Sequence, residues 1–229
     1  MRIPLQRSKD SHDSSPVHGS HAVVLGASIS GLLAARVLSD HYDQVTLVER
    51  DRLTHDGSPR RGVPQAHHVH ALMSRGSQIL EKMFPGLLRD LVESGVPVGQ
   101  ALHEYHYEVN GHVFFHEADA VEALVGAMEM YEPSRLLLEA KILQRVRALP
   151  NVELLDGWDV AGLTENSTLS RVTGVRVVSR ERSPVQRGLA ADLVVAATGR
   201  SSRVPAWLRS RGYAPPPEEE VPVGIKYVT

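Results

Sequence analysis

His21-Ala22-Val23-Val24-Leu25-Gly26-Ala27-Ser28-Ile29-Ser30-Gly31-Leu32-Leu33-Ala34-Ala35-Arg36-Val37-Leu38 joins an apolar run to a turn of small residues and then to an amphipathic helical pattern. The succession predicts a strand, a turn and a helix. Gly26 permits the tight turn, and Gly31 lets helix and strand pack closely. Unpaired N–H groups and the partial positive charge of a helix N-terminus suit the doubly anionic pyrophosphate of a dinucleotide. The middle glycine of the G-x-G-x-x-G pattern is Ser28 in this chain. It sets a hydroxymethyl group where the backbone should come nearest the phosphates.

The motif continues into Gln44-Val45-Thr46-Leu47-Val48-Glu49, a second β-rich run ending in an acid 23 residues beyond Gly26. An acid there accepts from a ribose 2′-OH and repels a 2′-phosphate, which points to FAD or NAD rather than NADP. The competing reading is an ordinary βαβ unit with a glycine turn and a solvated Glu49.

The 229 residues are 42% hydrophobic and 23% charged, with a formal net charge of −2. That is an ordinary globular composition, with no basic footprint for nucleic acid and no run long enough to span a membrane. The absence of cysteine excludes a disulfide framework, an iron–sulfur cluster, a thiolate zinc site and the redox cysteine pair of flavin disulfide reductases. Residues 1–19 are polar and lack an apolar segment, so they read as a disordered tail without a secretory signal. The expected location is the cytoplasm, and 20–229 is expected to be one incomplete α/β nucleotide-binding domain.

Further along, Asp51 to Pro64 is a loop rich in Gly, Pro and Arg, and Gln65 to Met83 has a helical pattern ended by Phe84-Pro85-Gly86. Leu87 to Glu93 reads as a short helix. Asn110-Gly111 between two alternating runs predicts a hairpin over about 105–115, inserted into the doubly wound pattern. A helix is expected from Ser134, as N-cap, to Leu149 before Pro150. Strands are expected at 152–155, 172–178 and 189–196, the last buried on both faces because Leu193-Val194-Val195-Ala196-Ala197 is almost wholly apolar. Pro215-Pro216-Pro217 and Glu218-Glu219-Glu220 form a stiff, solvated connector, and Val221 begins another apolar strand.

Four segments in this order resemble the FAD-binding half of flavin-dependent monooxygenases of the aromatic hydroxylase type. They are Gly26 to Gly31 with Glu49-Arg50; Arg61-Gly62-Val63-Pro64-Gln65-Ala66-His67-His68-Val69-His70; Ser134-Arg135-Leu136-Leu137-Leu138-Glu139; and Asp192 to Arg203. The resemblance implies a Rossmann-like FAD-binding fold with an inserted small sheet. In it Gly26, Ser28 and Gly31 line the pyrophosphate and Glu49 holds the adenosine ribose, with Ala27, Ser30 and Arg50 also among the cofactor-binding residues. Arg61 and Arg135 would grip phosphate or the ribityl chain with the fixed fork of a guanidinium. Gly199 marks a turn where such families carry Ala-Thr-Gly or Asp-Gly. The Asp is absent here, so docking of NADH or NADPH as electron donor is open.

Three histidines within four residues, His67, His68 and His70, have no Cys, Asp or Glu nearby to complete a metal shell, so no metal site is expected. A role beside the flavin and a role in helix packing both stay open for them. The resemblance also places a Gly-Asp flavin motif and a substrate-binding sheet beyond Thr229. The expected function is therefore that of a partial monooxygenase-like oxidoreductase, in which a nicotinamide donor reduces FAD and one oxygen atom passes to a small organic substrate. No residue is identified as catalytic. The alternatives are an FAD-dependent reductase of an isoprenoid-like double bond, and a noncatalytic FAD-binding module completed by a second chain.

Overall fold

The structure, a computed structural model, describes residues 18–54, 70–99, 107–114, 129–168 and 170–224. The first half of the chain contains β1 (Gly19–Leu25), α1 (Ile29–Ser39), β2 (Tyr42–Glu49), α2 (Ser74–Met83) and α3 (Leu87–Glu93), followed by the short strands β3 (Val98–Gly99), β4 (Tyr107–Val109), β5 (His112–Phe114) and β6 (Met130–Tyr131). The second half contains α4 (Arg135–Arg147), β7 (Val152–Asp156), β8 (Trp158–Glu165), β9 (Val172–Ser179), β10 (Gln186–Ala190), β11 (Leu193–Ala196) and α5 (Val204–Arg209).

The centre is a parallel sheet in the order β11-β1-β2-β7. Its two interior strands, β1 and β2, carry the buried runs 22–25 and 45–48, apolar except for Thr46, where both faces are covered. Alternate residues of β1 divide between two cores. Ala22 and Val24 join Leu32, Ala35, Leu138 and Ile142 on the helical side, while Val23 and Leu25 meet Leu163, Val175, Val177 and Leu189 of an antiparallel sheet on the other. That second sheet, ordered β10-β9-β8, lies in the chain between β7 and β11, where a doubly wound fold would carry a helix. The fold is thus α/β, with a parallel sheet between a helical layer and a small antiparallel one.

Local chemistry fixes the ends of the elements. Ser134 caps α4, its Oγ accepting from the Leu137 N–H at 3.2 Å, as its sequence position predicts. Glu81 accepts from the N–H groups of Gly86 (2.6 Å) and Leu88 (2.9 Å), and the Leu88 bond is the largest influence holding its carboxyl below the usual range. At the end of the parallel sheet where β1 begins, Asp192 Oδ2 accepts from the N–H groups of Ser20 (2.8 Å) and His21 (3.2 Å), which lower its pKa. The His21 ring joins the two sheets. Nδ1 lies 2.6 Å from the Ala190 carbonyl, which can only accept, so this nitrogen carries a proton, and Nε2 meets Thr46 Oγ1 at 2.8 Å. Asn110 and Gly111 have φ of 53° and 78°, the left-handed pair that a two-residue hairpin requires, and β4 pairs with β5 around them.

Several expectations change. Of the helix expected from Gln65 to Met83, residues 65–69 lie outside the described residues, 70–73 are not helical and Leu72 bridges to Tyr131, and the helix begins at Ser74. The strand expected at 189–196 is two strands in different sheets, separated at Ala191-Asp192. β11 is not buried on both faces: Leu193 is 36% exposed and Ala196 is also exposed, because β11 is the edge strand of its sheet. Strand β8 and helix α5 were not anticipated, and Val221–Gly224 are not in a strand.

Candidate functional site

Strand order creates the site. With β1 and β11 adjacent, the chain leaves the sheet in opposite directions on either side of them. Open α/β sheets bind ligands in the crevice at such a switch, beyond the carboxyl ends of the strands. Leu25 pairs with both Val48 and Ala196, so the three strands end level and deliver Gly26, Glu49 and Ala197 to one place. A cleft of about 270 Å³ opens there.

One wall is the β1–α1 turn. Gly26 has φ +98°, and a Cβ on it would lie 2.6 Å from the Ala197 carbonyl oxygen. A Cβ on Gly31 would lie 1.7 Å from the Gly26 carbonyl oxygen, so backbone approaches backbone with no room for a side chain. Glu49 is 9% exposed and braces the turn, Oε2 accepting from the Ala27 N–H at 2.7 Å and Oε1 from the Asp51 N–H at 3.0 Å. Its first task is therefore to hold the backbone. Ser28 is the N-cap residue of α1, yet its side chain makes no capping bond. The hydroxyl instead donates to Glu139 Oε2 at 3.0 Å and accepts from Arg135 Nη2 at 3.1 Å, while Arg135 Nε lies 3.4 Å from the same Glu139 oxygen.

The opposite wall comes from β8 and the segment after β11. Trp158, Asp159 and Val160 face the cleft with Thr198, Gly199, Arg203, Val204 and Trp207. Arg203 donates to the Val160 carbonyl, and its guanidinium carbon lies 5.2 Å from the centre of the Trp207 ring, a cation–π distance. These contacts pin α5 to β8.

Of the residues singled out in the sequence, Gly26, Ser28, Ser30, Glu49, Arg50, Arg135 and Gly199 line this cleft together. Ala27 and Gly31 are buried directly behind the turn. Arg61, His67 and His68 lie outside the described residues; His70 is described and half-buried. Among the described residues no group of three or more His, Cys, Asp or Glu is arranged to hold a metal, and no helix is long and apolar enough to cross a membrane. Glu139 was missed as a site residue, although its place four residues after Arg135 put both on one helix face. Nothing local marked Trp158–Val160, which reach the cleft only because β8 folds back over the sheet.

The fold is that of the FAD-binding part of flavin-dependent monooxygenases. A solved p-nitrophenol 4-monooxygenase, PnpA from Pseudomonas putida, superposes with a TM-score of 0.61 at 22% identity over 84% of this chain and 44% of its own. The flavin-dependent monooxygenase PieE, solved with FAD and substrate, gives a TM-score of 0.57 at 20% identity over 85% of this chain and 33% of its own. In sequence the chain is 42% identical to Protein Rv3254 of Mycobacterium tuberculosis over 216 residues, 91% of this chain. It spans 44% of that relative's length. No protein-family model matches the chain.

Proposed function

We propose that this chain binds FAD in the cleft between β1 and β11 and serves a monooxygenase-like oxidoreductase. The observation that carries this reading is the convergence, at the switch point of the sheet, of a tight glycine turn, a helix N-terminus that the Ser28 side chain does not cap, Arg135 and Glu49. The N–H groups of the first turn of α1 and Arg135 suit a pyrophosphate, and the Glu49 carboxylate, which braces the turn, is assigned to a ribose hydroxyl. Arg50, exposed beside Glu49, is assigned to the adenosine end. At about 270 Å³ the cleft falls just below the roughly 300–1,000 Å³ of drug-sized ligand sites, which fits the ADP portion of FAD better than the whole molecule.

When bound, FAD would supply the redox chemistry of this class, in which NADH or NADPH gives two electrons, one atom of dioxygen enters a small organic substrate and the other leaves as water. The chain's own residues bind and orient: the turn holds the phosphates, Arg135 offers them further N–H donors, and Glu49 keeps the turn rigid. The substrate-binding half is assigned to further polypeptide, in the same chain or a partner. The span of 44% of the sequence relative supports this, as does the outer edge of β11, which no strand covers among the described residues. That edge also favours the second reading, a noncatalytic FAD module completed by a partner.

The test is an absorbance spectrum of the purified 229-residue chain after incubation with FAD and desalting. Retained flavin bands are expected. A folded, colourless protein that also fails to bind ADP would refute the reading. With flavin retained, oxygen consumption on addition of NADH or NADPH favours an oxygenase over an anaerobic reductase.

A further inference from the structure

Ser28 poses a chemical problem at this site. A serine at an N-cap position, with extended backbone (φ −86°, ψ −177°), ordinarily turns its Oγ back to accept from an N–H of the first helical turn. That bond would consume one of the donors a pyrophosphate needs, on a turn that already lacks the middle glycine. In this protein the bond is not made. The hydroxyl is drawn away by Glu139 Oε2 at 3.0 Å, on a different helix and 111 residues later in the chain, and Arg135 Nη2 reaches Ser28 Oγ from the same side at 3.1 Å. Glu139 is 9% exposed, and its position on α4 is fixed by Leu138, Ile142 and Leu143 packing into the helical core. The first turn of α1 contains no acidic residue that could satisfy the same donors.

We propose that Glu139 is a positioning residue of the nucleotide site: by engaging the Ser28 hydroxyl it prevents self-capping of α1 and keeps the helix N-terminus open for the pyrophosphate. The inference rests on the dinucleotide-binding reading given above. It also accounts for a carboxylate beside a site for an anion. Arg135, ion-paired to Glu139 at 3.4 Å, offsets that negative charge. Glu139 is thus the compensation that makes serine acceptable where glycine is usual.

The test measures ADP and adenosine binding by calorimetry for the 229-residue chain and for Glu139→Ala, Glu139→Gln, Ser28→Gly and the Ser28→Gly/Glu139→Ala double variant. Glu139→Ala is expected to bind ADP about tenfold more weakly, equivalent to about 1.4 kcal/mol, with adenosine unchanged because it carries no phosphate. Glu139→Gln keeps an acceptor for Ser28 and should stay within about threefold of the parent. In the Ser28→Gly background, removing Glu139 should change ADP affinity by less than about threefold, since no hydroxyl remains to be diverted. Equal ADP affinity of Glu139→Ala and the parent, or an undiminished loss in the Ser28→Gly background, overturns the proposal and leaves the nucleotide site intact. Failure of the folded parent to bind either ligand overturns the dinucleotide reading and this inference with it. If Glu139→Ala does not fold, the Glu139→Gln and Ser28→Gly titrations decide: a loss beyond about tenfold in Glu139→Gln overturns the proposal, and so does a loss of that size in Ser28→Gly.

Discussion

The two walls of the cleft are made of different material. On the β1–α1 side the surface is backbone, packed so closely that the space for a Cβ is already taken by carbonyl oxygens of Gly26 and Ala197. On the β8–α5 side it is side chain, with Trp158 and Trp207 facing the cleft and Arg203 joining the Val160 carbonyl to the Trp207 ring. A backbone wall has fixed geometry and no way to adapt, whereas a side-chain wall can repack. The first should therefore respond to substitution by failing outright and the second by weakening in steps.

The largest effect should come from Gly31→Leu, whose Cβ would sit 1.7 Å from the Gly26 carbonyl oxygen. Helix α1 must then leave the sheet, and a loss of stability beyond about 3 kcal/mol is expected, read as the urea midpoint together with flavin content. A folded variant with full flavin content would break the contrast between the walls. Next, Glu49→Ala leaves the buried Ala27 N–H without its 2.7 Å acceptor and should cost about 1–3 kcal/mol of stability while weakening FAD. Glu49→Gln, which keeps one acceptor oxygen, should lose less, and equal losses in the two would show that charge rather than bracing matters. On the side-chain wall, Arg203→Ala removes the ring contact and the bond to Val160, and a loss of about 0.5–1 kcal/mol is expected by chemical denaturation. A loss as large as that of Gly31→Leu would mean that this wall is equally rigid.

The smallest effect lies at the opposite end of the sheet. Asp192 is held below its ordinary pKa by the His21 and Ser20 N–H groups. A carboxyl with a depressed folded pKa lends stability that is complete above its unfolded value, about 3.9, and is lost as pH falls through the folded value. The urea midpoint should therefore drop below about pH 4, and Asp192→Asn should shrink that drop while lowering the midpoint at neutral pH. An unchanged acid profile in Asp192→Asn would assign the drop to Glu81 and Asp90, whose carboxyls are also held low.

Legibility followed the range of the interactions. The βαβ unit, the Asn110-Gly111 hairpin and the Ser134 cap were readable because each depends on a few adjacent residues: a small-residue turn, a left-handed pair, a hydroxyl three residues from its donor. The reading of 189–196 as one buried strand failed because apolar composition does not say which neighbour a strand has. At Ala191-Asp192 the chain passes from one sheet to another, and β11 then stands at an edge. Likewise Glu49 could be read as an acid at a strand end, but its grip on the Ala27 N–H depends on the level register of β1 and β2.

The sequence by itself determined the nucleotide turn, the strand that follows it and the acid at that strand's end, because glycine sterics, helix-terminal N–H groups and alternating burial act over a few residues. Only the tertiary structure decided that β8 folds over the cleft, that Arg203 joins Val160 to Trp207, and that Glu139 reaches Ser28 from 111 residues away. Those contacts depend on strand order and on the packing of α4 against the sheet, which arise from the summed burial of two cores and from no single stretch of chain.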